Sequence, residues 1–185
     1  MSLLDEILQA NREFVAHKQE FTQPEVSKMP RRQLAIFTCM DTRLVDFLEP
    51  AMGITRGDAK ILKNAGNTLI DPSGGVIRSL VVAIFLLGVE EVLVIGHKDC
   101  GMAQINTPDL IRRMKDRGIS GELLDQMEPE LMEWLGAFKD PVSNIAKVVG
   151  MIRNSPLIPK DVPVHGLLFC PQDGHLEIVA EGYGG

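Results

Sequence analysis

The sequence predicts an α/β protein with a central, mainly parallel sheet, and three observations carry that prediction. Short apolar runs, Leu34–Thr38, Ala59–Lys63 and Glu91–Gly96, alternate with longer helical patterns. Those runs are near-continuously apolar, as strands covered on both faces must be. Two final runs, Val162–Phe169 and His175–Ala180, flank an Asp173–Gly174 turn signal.

In chain order, Ser2 to about His17 reads as an amphipathic helix. Ser2 caps it, Asp5 and Glu6 suit its positive end, and Leu3, Leu4, Ile7, Leu8, Phe14 and Val15 form one stripe. The stretch "TQPEVSKMP", with Pro24 and Pro30, ends that helix, which must bury its stripe on its own domain or on a second subunit. "LAIFT" is a strand, and "LVDFLEPAMGI" (Leu44–Ile54) reads as a helix with Pro50 near its first turns or kinking it. "AKILK" is the second strand, followed by the turn "NAGN" (Asn64–Asn67). "SGGVIRSLVVAIFLLG" is a long, nearly all-apolar helix, capped by Ser73 and stopped by Gly88. After the strand "EVLVIG" comes a charged helical stretch from Pro108 to about Phe138, then a helix from Val142 to Arg153.

The chain has 185 residues, enough for one substantial core, with 45% hydrophobic and 24% charged residues. Its formal charge of −6 argues against nucleic acid or an anionic membrane as partner, since both need a concentrated basic face. Arg31–Arg32 and Arg112–Arg113 read as solvated surface. The longest apolar run, Leu80–Leu87, is too short to cross a bilayer. Asp5 and Glu6 stand where a secretory leader would be basic and then apolar, so a cytoplasmic location is expected. Three cysteines are too few for a disulfide scaffold and leave core thiols, nucleophiles or metal ligands.

Chemistry concentrates where strands end. Cys39, Asp41 and Arg43 alternate just past "LAIFT", and the third strand runs into "GHKDCGM". His97 and Cys100 are spaced so that both side chains reach one ion from a single turn. In an open parallel sheet, ligands gather beyond the carboxyl ends of the strands. If the first and third strands are neighbours, Cys39, His97 and Cys100 converge into a donor set suited to zinc, with Zn–S about 2.3 Å and Zn–N about 2.0–2.1 Å. Three protein ligands leave a fourth position open, the mark of catalytic rather than structural zinc. Any one of these residues alone reads as an ordinary buried thiol or core histidine; the combination favours zinc. An Asp41–Arg43 pair on an open surface would be worth about 0–1 kcal/mol and do nothing more. Beside a zinc-bound water, Asp41 can accept its proton in a hydrogen bond while Arg43 holds the carboxylate ionised and turned. Unclamped, Asp41 can become the fourth ligand and close the site. Residues 1–20 are thus expected to form an N-terminal helical arm, and residues 31–185 a zinc-binding α/β catalytic domain.

"CMDTR", "ILKNAGN", "GGVIRS" and "GHKDCGM", with the later "SPLIP" and "VPVHGLL", resemble the β-class carbonic anhydrases, in particular their short prokaryotic branch. The resemblance covers most of the chain after the N-terminal helix. It implies zinc held by Cys39, His97 and Cys100 beside an Asp41–Arg43 dyad, a sheet in the order 2-1-3-4 with a further edge strand, and a homodimer as the basic unit. The implied reaction is reversible hydration of carbon dioxide to bicarbonate by a zinc hydroxide that the dyad orients. Zinc lowers the pKa of bound water from about 15.7 toward about 7. That value belongs to a carbonic anhydrase with three histidine ligands, whereas two thiolates should acidify water less. The only tryptophan, Trp134, and only tyrosine, Tyr183, fall away from the positions that form a non-catalytic bicarbonate site in some members, so no such site is expected. His17, His165 and His175 are candidate proton shuttles by residue type alone.

Three rivals use the same residues. A Cys39 nucleophile with Arg43 as oxyanion binder needs a longer loop than Met40, Asp41 and Thr42 provide, and Asp41 would repel phosphate. A non-enzymatic zinc protein, its site closed by two cysteines, a histidine and an aspartate, would serve assembly or regulation. The same zinc hydroxide could instead act on carbonyl sulfide or carbon disulfide. Cys170 reads as a filler or a partly exposed thiol, and "NAGN" either offers backbone groups to the pocket or is a plain tight turn. "GGVIRS" lacks the lysine of a P-loop, which leaves Arg78 on the surface or paired with an acid.

Overall fold

The computed structural model describes residues 1–17 and 26–183. Five strands, β1 (Leu34–Cys39), β2 (Ala59–Asn64), β3 (Glu91–His97), β4 (Val164–Phe169) and β5 (Leu176–Ala180), form one sheet in the order β2-β1-β3-β4-β5. The first four run parallel to one another, and β5 runs antiparallel to β4 on the edge. Fold class and strand order therefore follow the sequence reading. Every residue of β1 is buried. Its one polar strand residue before the cysteine, Thr38, donates its hydroxyl to Ile95 O at 2.8 Å, so burial leaves that group satisfied.

Both faces of the sheet are covered, which is why its central strands are apolar throughout. Ala35 and Phe37 of β1 pack on one side with Val92 and Val94, under the helices α3 (Gly75–Leu87) and α6 (Pro141–Asn154). Leu34 and Ile36 face the other side, with Leu44, Leu48, Ile95 and Phe169. Leu135, at the end of α5 (Gly121–Gly136), joins that second cluster. α6 lies very close to the sheet. A Cβ on Gly96 would fall 2.8 Å from Ile145 Cδ1, and one on Gly166 would fall 2.6 Å from Ile145 Cγ2. The β4–β5 connection turns at Gly174, whose φ of +77° suits glycine.

Three expectations change. The predicted Leu44–Ile54 helix is a 3₁₀ turn, Thr42–Leu44, followed by the four-residue α2, Leu48–Ala51. Asp46 interrupts it at φ +54°, and Pro50 sits in the first turn of α2, where no amide hydrogen is required. Ser73 does not cap α3; its N–H and hydroxyl both donate to Asp71 Oδ1, and Gly74 holds the cap position. Arg78, for its part, is exposed, in line with the surface alternative, and donates Nε to Ser73 O at 2.9 Å. The charged stretch is two helices, α4 (Thr107–Asp116) and α5, separated at Gly118 with φ +89°.

The N-terminal helix α1 (Leu3–Ala16) begins as predicted. Asp5 N–H donates to Ser2 Oγ, and Ser2 N–H donates back to Asp5 Oδ2 at 2.9 Å. None of its residues is buried within the chain. Pro24 and residues 22–25 of the predicted linker, with residues 18–20 of the predicted arm, lie outside the described residues. Among the described residues, no helix is long and apolar enough to cross a membrane.

Candidate metal centre

The sheet register brings the motif residues together. Thr38 pairs with Ile95, so β1 and β3 release their chains at nearly the same level, with Cys39 and His97 at the ends. Beyond β3, Asp99 takes φ +53°, a left-handed turn that short polar side chains tolerate, and brings Cys100 back toward the sheet. The sulfurs of Cys39 and Cys100 lie 4.0 Å apart. Two Zn–S bonds of about 2.3 Å at the tetrahedral angle would span about 3.8 Å. The two sulfurs and the imidazole all fall within 4.8 Å of one another, and all three residues are buried.

His97 shows which of its nitrogens is available. Nδ1 is hydrogen-bonded to Lys98 O at 2.9 Å, the arrangement behind a ligand that fixes a ligating imidazole. Nε2 is buried and has no hydrogen-bond partner among the described residues. Leaving such an atom unpaired costs about 1–3 kcal/mol, which a cation would offset. The donor set therefore fits a zinc ion.

The thiols share a proton unequally. The hydrogen bond with Cys100 pulls the Cys39 pKa down against the opposing effect of burial, helped by His97 and by the Asp41 and Gly66 amides. Cys100 is pushed up by that same bond and by burial. Burial opposes charging of His97, but the Cys39 thiolate, the Lys98 carbonyl and Asp41 together raise its pKa. The pocket thus already stabilises negative sulfur and positive charge beside it.

Asp41 and Arg43 meet in a fork. Arg43 Nε donates to Asp41 Oδ1 at 3.0 Å and Nη2 donates to Oδ2 at 2.8 Å, while Arg43 N–H also donates to Oδ1 at 2.9 Å. These bonds hold the Asp41 carboxyl at about 2, below the carboxylate range. Asp41 Oδ2 stands 3.7 Å from His97 Nε2, so the carboxylate borders the donor cluster. From the other loop, Asp99 accepts Arg43 Nη1 on its carboxylate at 2.9 Å and Nη2 on its carbonyl at 2.7 Å.

A cavity of about 520 Å³ opens on these groups. Cys39, Asp41, Arg43 and Cys100 line it on the polar side, with Ala65, Met102 and Ile105 among its apolar lining. Volume alone would not find it, because a groove of about 590 Å³ between Arg153 and Tyr183 is larger. That groove gathers no comparable donor set.

The structure thus brings together Cys39, Asp41, Arg43, His97 and Cys100. Cys170 stands apart, half-buried, with its thiol donating to Gln172 Oε1 at 3.3 Å. His17, His165, His175, Trp134 and Tyr183 do not line the cavity. His165 lies toward the other end of β4, where its Nδ1 accepts Gly182 N–H at 3.1 Å. One contributor escapes the sequence reading: Asp99, an unassigned acid between two expected ligands, whose role appears only through its bonds to Arg43. Of the two readings of the "NAGN" turn, the structure favours the one that offers a backbone group, since Gly66 N–H donates to Cys39 Sγ at 3.3 Å.

Comparison with known proteins agrees with this geometry. A family model described as carbonic anhydrase matches residues 34–176. A Bacillus subtilis (strain 168) protein named "Putative carbonic anhydrase YvdA" is 42% identical, over 99% of this chain and 94% of its own length. The crystal structure of β-carbonic anhydrase isoform I from the protozoan Trichomonas vaginalis superposes with a TM-score of 0.93 at 40% identity, covering 99% of this chain and 100% of that one. A carbon disulfide hydrolase from Acidithiobacillus thiooxidans is 33% identical over 91% of this chain and 87% of its own.

Proposed function

The chain belongs to the β-class carbonic anhydrase family, and from that premise we propose that it binds zinc through Cys39, His97 and Cys100 and catalyses the reversible hydration of carbon dioxide to bicarbonate. The observation that carries the proposal is the orphaned, buried Nε2 of His97, facing two sulfurs across a distance that one tetrahedral ion spans. Bound there, zinc would acidify a water and make it nucleophilic near neutral pH.

The protein's own residues supply the rest. Asp41, kept ionised by the Arg43 fork, is an acceptor at the edge of the cluster and orients the attacking water through a hydrogen bond. Arg43 holds both carboxylate oxygens, which keeps Asp41 from swinging inward as a fourth ligand. Asp99 anchors Arg43 from the opposite loop. The apolar surface of Ala65, Met102 and Ile105 suits a small linear molecule without charge, while the guanidinium side suits the anion that leaves. Water and carbon dioxide become bicarbonate and one proton, and the proton passes to buffer.

In this proposal the working unit is a cytoplasmic homodimer. The arm, residues 1–20, is distinct from the catalytic domain, residues 31–185. The exposed stripe of α1 supports a subunit contact.

Two measurements on the purified protein test the function: zinc per chain, and carbon dioxide hydration followed by stopped flow across pH. About one zinc per chain with activity rising above neutrality is the expected result. One zinc and no hydration at any pH would replace the enzyme with a closed-site zinc protein. The carbon disulfide hydrolase similarity and the apolar cavity lining favour a second reading, hydrolysis of carbon disulfide. Hydrogen sulfide release from carbon disulfide, measured against carbon dioxide hydration on the same preparation, separates the two.

A further inference from the structure

The Asn64–Asn67 turn contributes no side chain to the donor cluster, yet its backbone touches it. The β1–β2 register sets Asn64 opposite Cys39, so the chain leaving β2 passes beside the ligand sulfur. There it takes two consecutive left-handed residues, Gly66 at φ +68° and Asn67 at φ +45°. Such backbone persists only where its surroundings hold it. A side chain at Gly66 is also excluded by space, since its Cβ would lie 2.7 Å from Met102 Cγ.

Two clasps hold the turn. Asn64 closes its base: Nδ2 donates to Thr68 O at 2.8 Å, and Thr68 N–H donates to Asn64 Oδ1 at 3.0 Å. The second clasp comes from a distant element. Asn144 of α6, only 4% exposed, donates Nδ2 to Gly66 O at 3.1 Å and to Asn67 O at 3.3 Å. A turn that only reversed the chain would need no buried amide reaching across from another helix. What the second clasp fixes is the peptide on the far side of the Gly66 Cα, and with it the orientation of the residue whose own N–H donates to Cys39 Sγ.

We infer that Asn144 is a positioning residue for the metal centre: by holding the Gly66 and Asn67 carbonyls, it keeps the Gly66 N–H on the Cys39 sulfur. A hydrogen bond to a thiolate draws charge from the sulfur, so the sulfur gives less to a bound cation. Hydrogen bonds to ligand sulfurs tune metal centres in this way. With two thiolates in the set, the bond preserves part of the cation's acidifying power. The inference rests on the proposal that Cys39 is a metal ligand.

The test loads the protein with cobalt(II) and reads the sulfur-to-cobalt charge-transfer band. Asn144→Ala should shift the band to lower energy, and Asn144→Ser, which retains a short donor, should shift it less. Folded variants, checked by circular dichroism, whose band matches the unmodified protein would overturn the inference. Should neither variant fold, the unmodified chain loaded with spin-half cadmium decides by NMR. A scalar coupling from cadmium to the Gly66 amide proton is expected, and its absence overturns the inference. Absence of any sulfur charge-transfer band with cobalt would instead refute the metal-site proposal itself. Neither readout depends on which substrate is turned over.

Discussion

Cys39, His97 and Cys100 converge to within 4.8 Å, the first two as the last residues of β1 and β3 and the third from the turn beyond β3. Cys100→Ser should leave the purified protein without stoichiometric zinc, as read by elemental analysis; full metallation would mean the ligands are wrongly assigned. Arg43→Ala is different, because it removes a clamp and leaves the donors in place. It should retain zinc while carbon dioxide hydration falls on the order of 100-fold, within the range a positioned proton-handling group supplies. An unchanged rate would take Arg43 and Asp41 out of the chemistry. At this scale the sequence is most readable where a residue type is rare and its chemistry narrow. Two cysteines and a histidine at strand ends can be singled out for that reason. Asp99 cannot, since an exposed acid suits most surface positions and its meaning comes only from Arg43 arriving across the loop.

Secondary structure is legible where burial alone dictates it. β1 and β3 are apolar because helices cover both faces, and any sheet position satisfying that condition shows the same pattern. The stretch after Asp41 departs from its own pattern because its conformation is set by contacts that spacing does not reveal. Asp41 captures the Arg43 N–H and starts a 3₁₀ turn, and Asp46 then adopts a left-handed conformation, so the apolar spacing of Leu44, Phe47 and Leu48 never becomes a long helix. The seat of α6 on the sheet allows a sharper expectation. Gly166→Ala would place a methyl group 2.6 Å from Ile145 Cγ2 and 3.1 Å from Val149 Cγ2, so that α6 or β4 must shift. Overpacking of this kind costs about 1–3 kcal/mol, measurable by urea denaturation. An unchanged midpoint would mean that α6 sits farther from β4 than described. At the other end of the chain, Ser2→Ala should destabilise α1 by about 1 kcal/mol through loss of its cap, seen as reduced helicity near the melting transition.

For the molecule as a whole, one carboxylate sets part of the acid limit of stability. Asp58 is 6% exposed. It accepts Thr55 N–H and hydroxyl at 2.8 Å each and Arg31 Nε at 2.8 Å. Its pKa falls from 3.8 to about 2, first through the Thr55 amide, then the Thr55 hydroxyl and Arg31. A depressed carboxyl stabilises the fold above its ordinary pKa and loses that contribution as pH falls through the folded value. Stability should therefore drop between about pH 4 and pH 2, and Asp58→Asn should flatten that limb in a series of thermal melts. Quaternary structure is the second expectation at this scale. Sedimentation should give a dimer, and paired Leu4→Glu and Ile7→Glu changes on the exposed stripe of α1 should shift it toward monomer. A dimer untouched by both changes would place the contact elsewhere.

Ile145 fills the space above both Gly96 and Gly166, and the adjacent Asn144 holds the turn beside Cys39. The rear of the sheet and the front of the metal centre are thus joined through neighbouring links of one helix. Directed evolution that randomises only the rim of the cavity would leave this lever untouched. If the inference about Asn144 holds, substitutions along the hidden side of α6 would offer a route to retuning a metal bound by Cys39, His97 and Cys100 without altering any of the three donors.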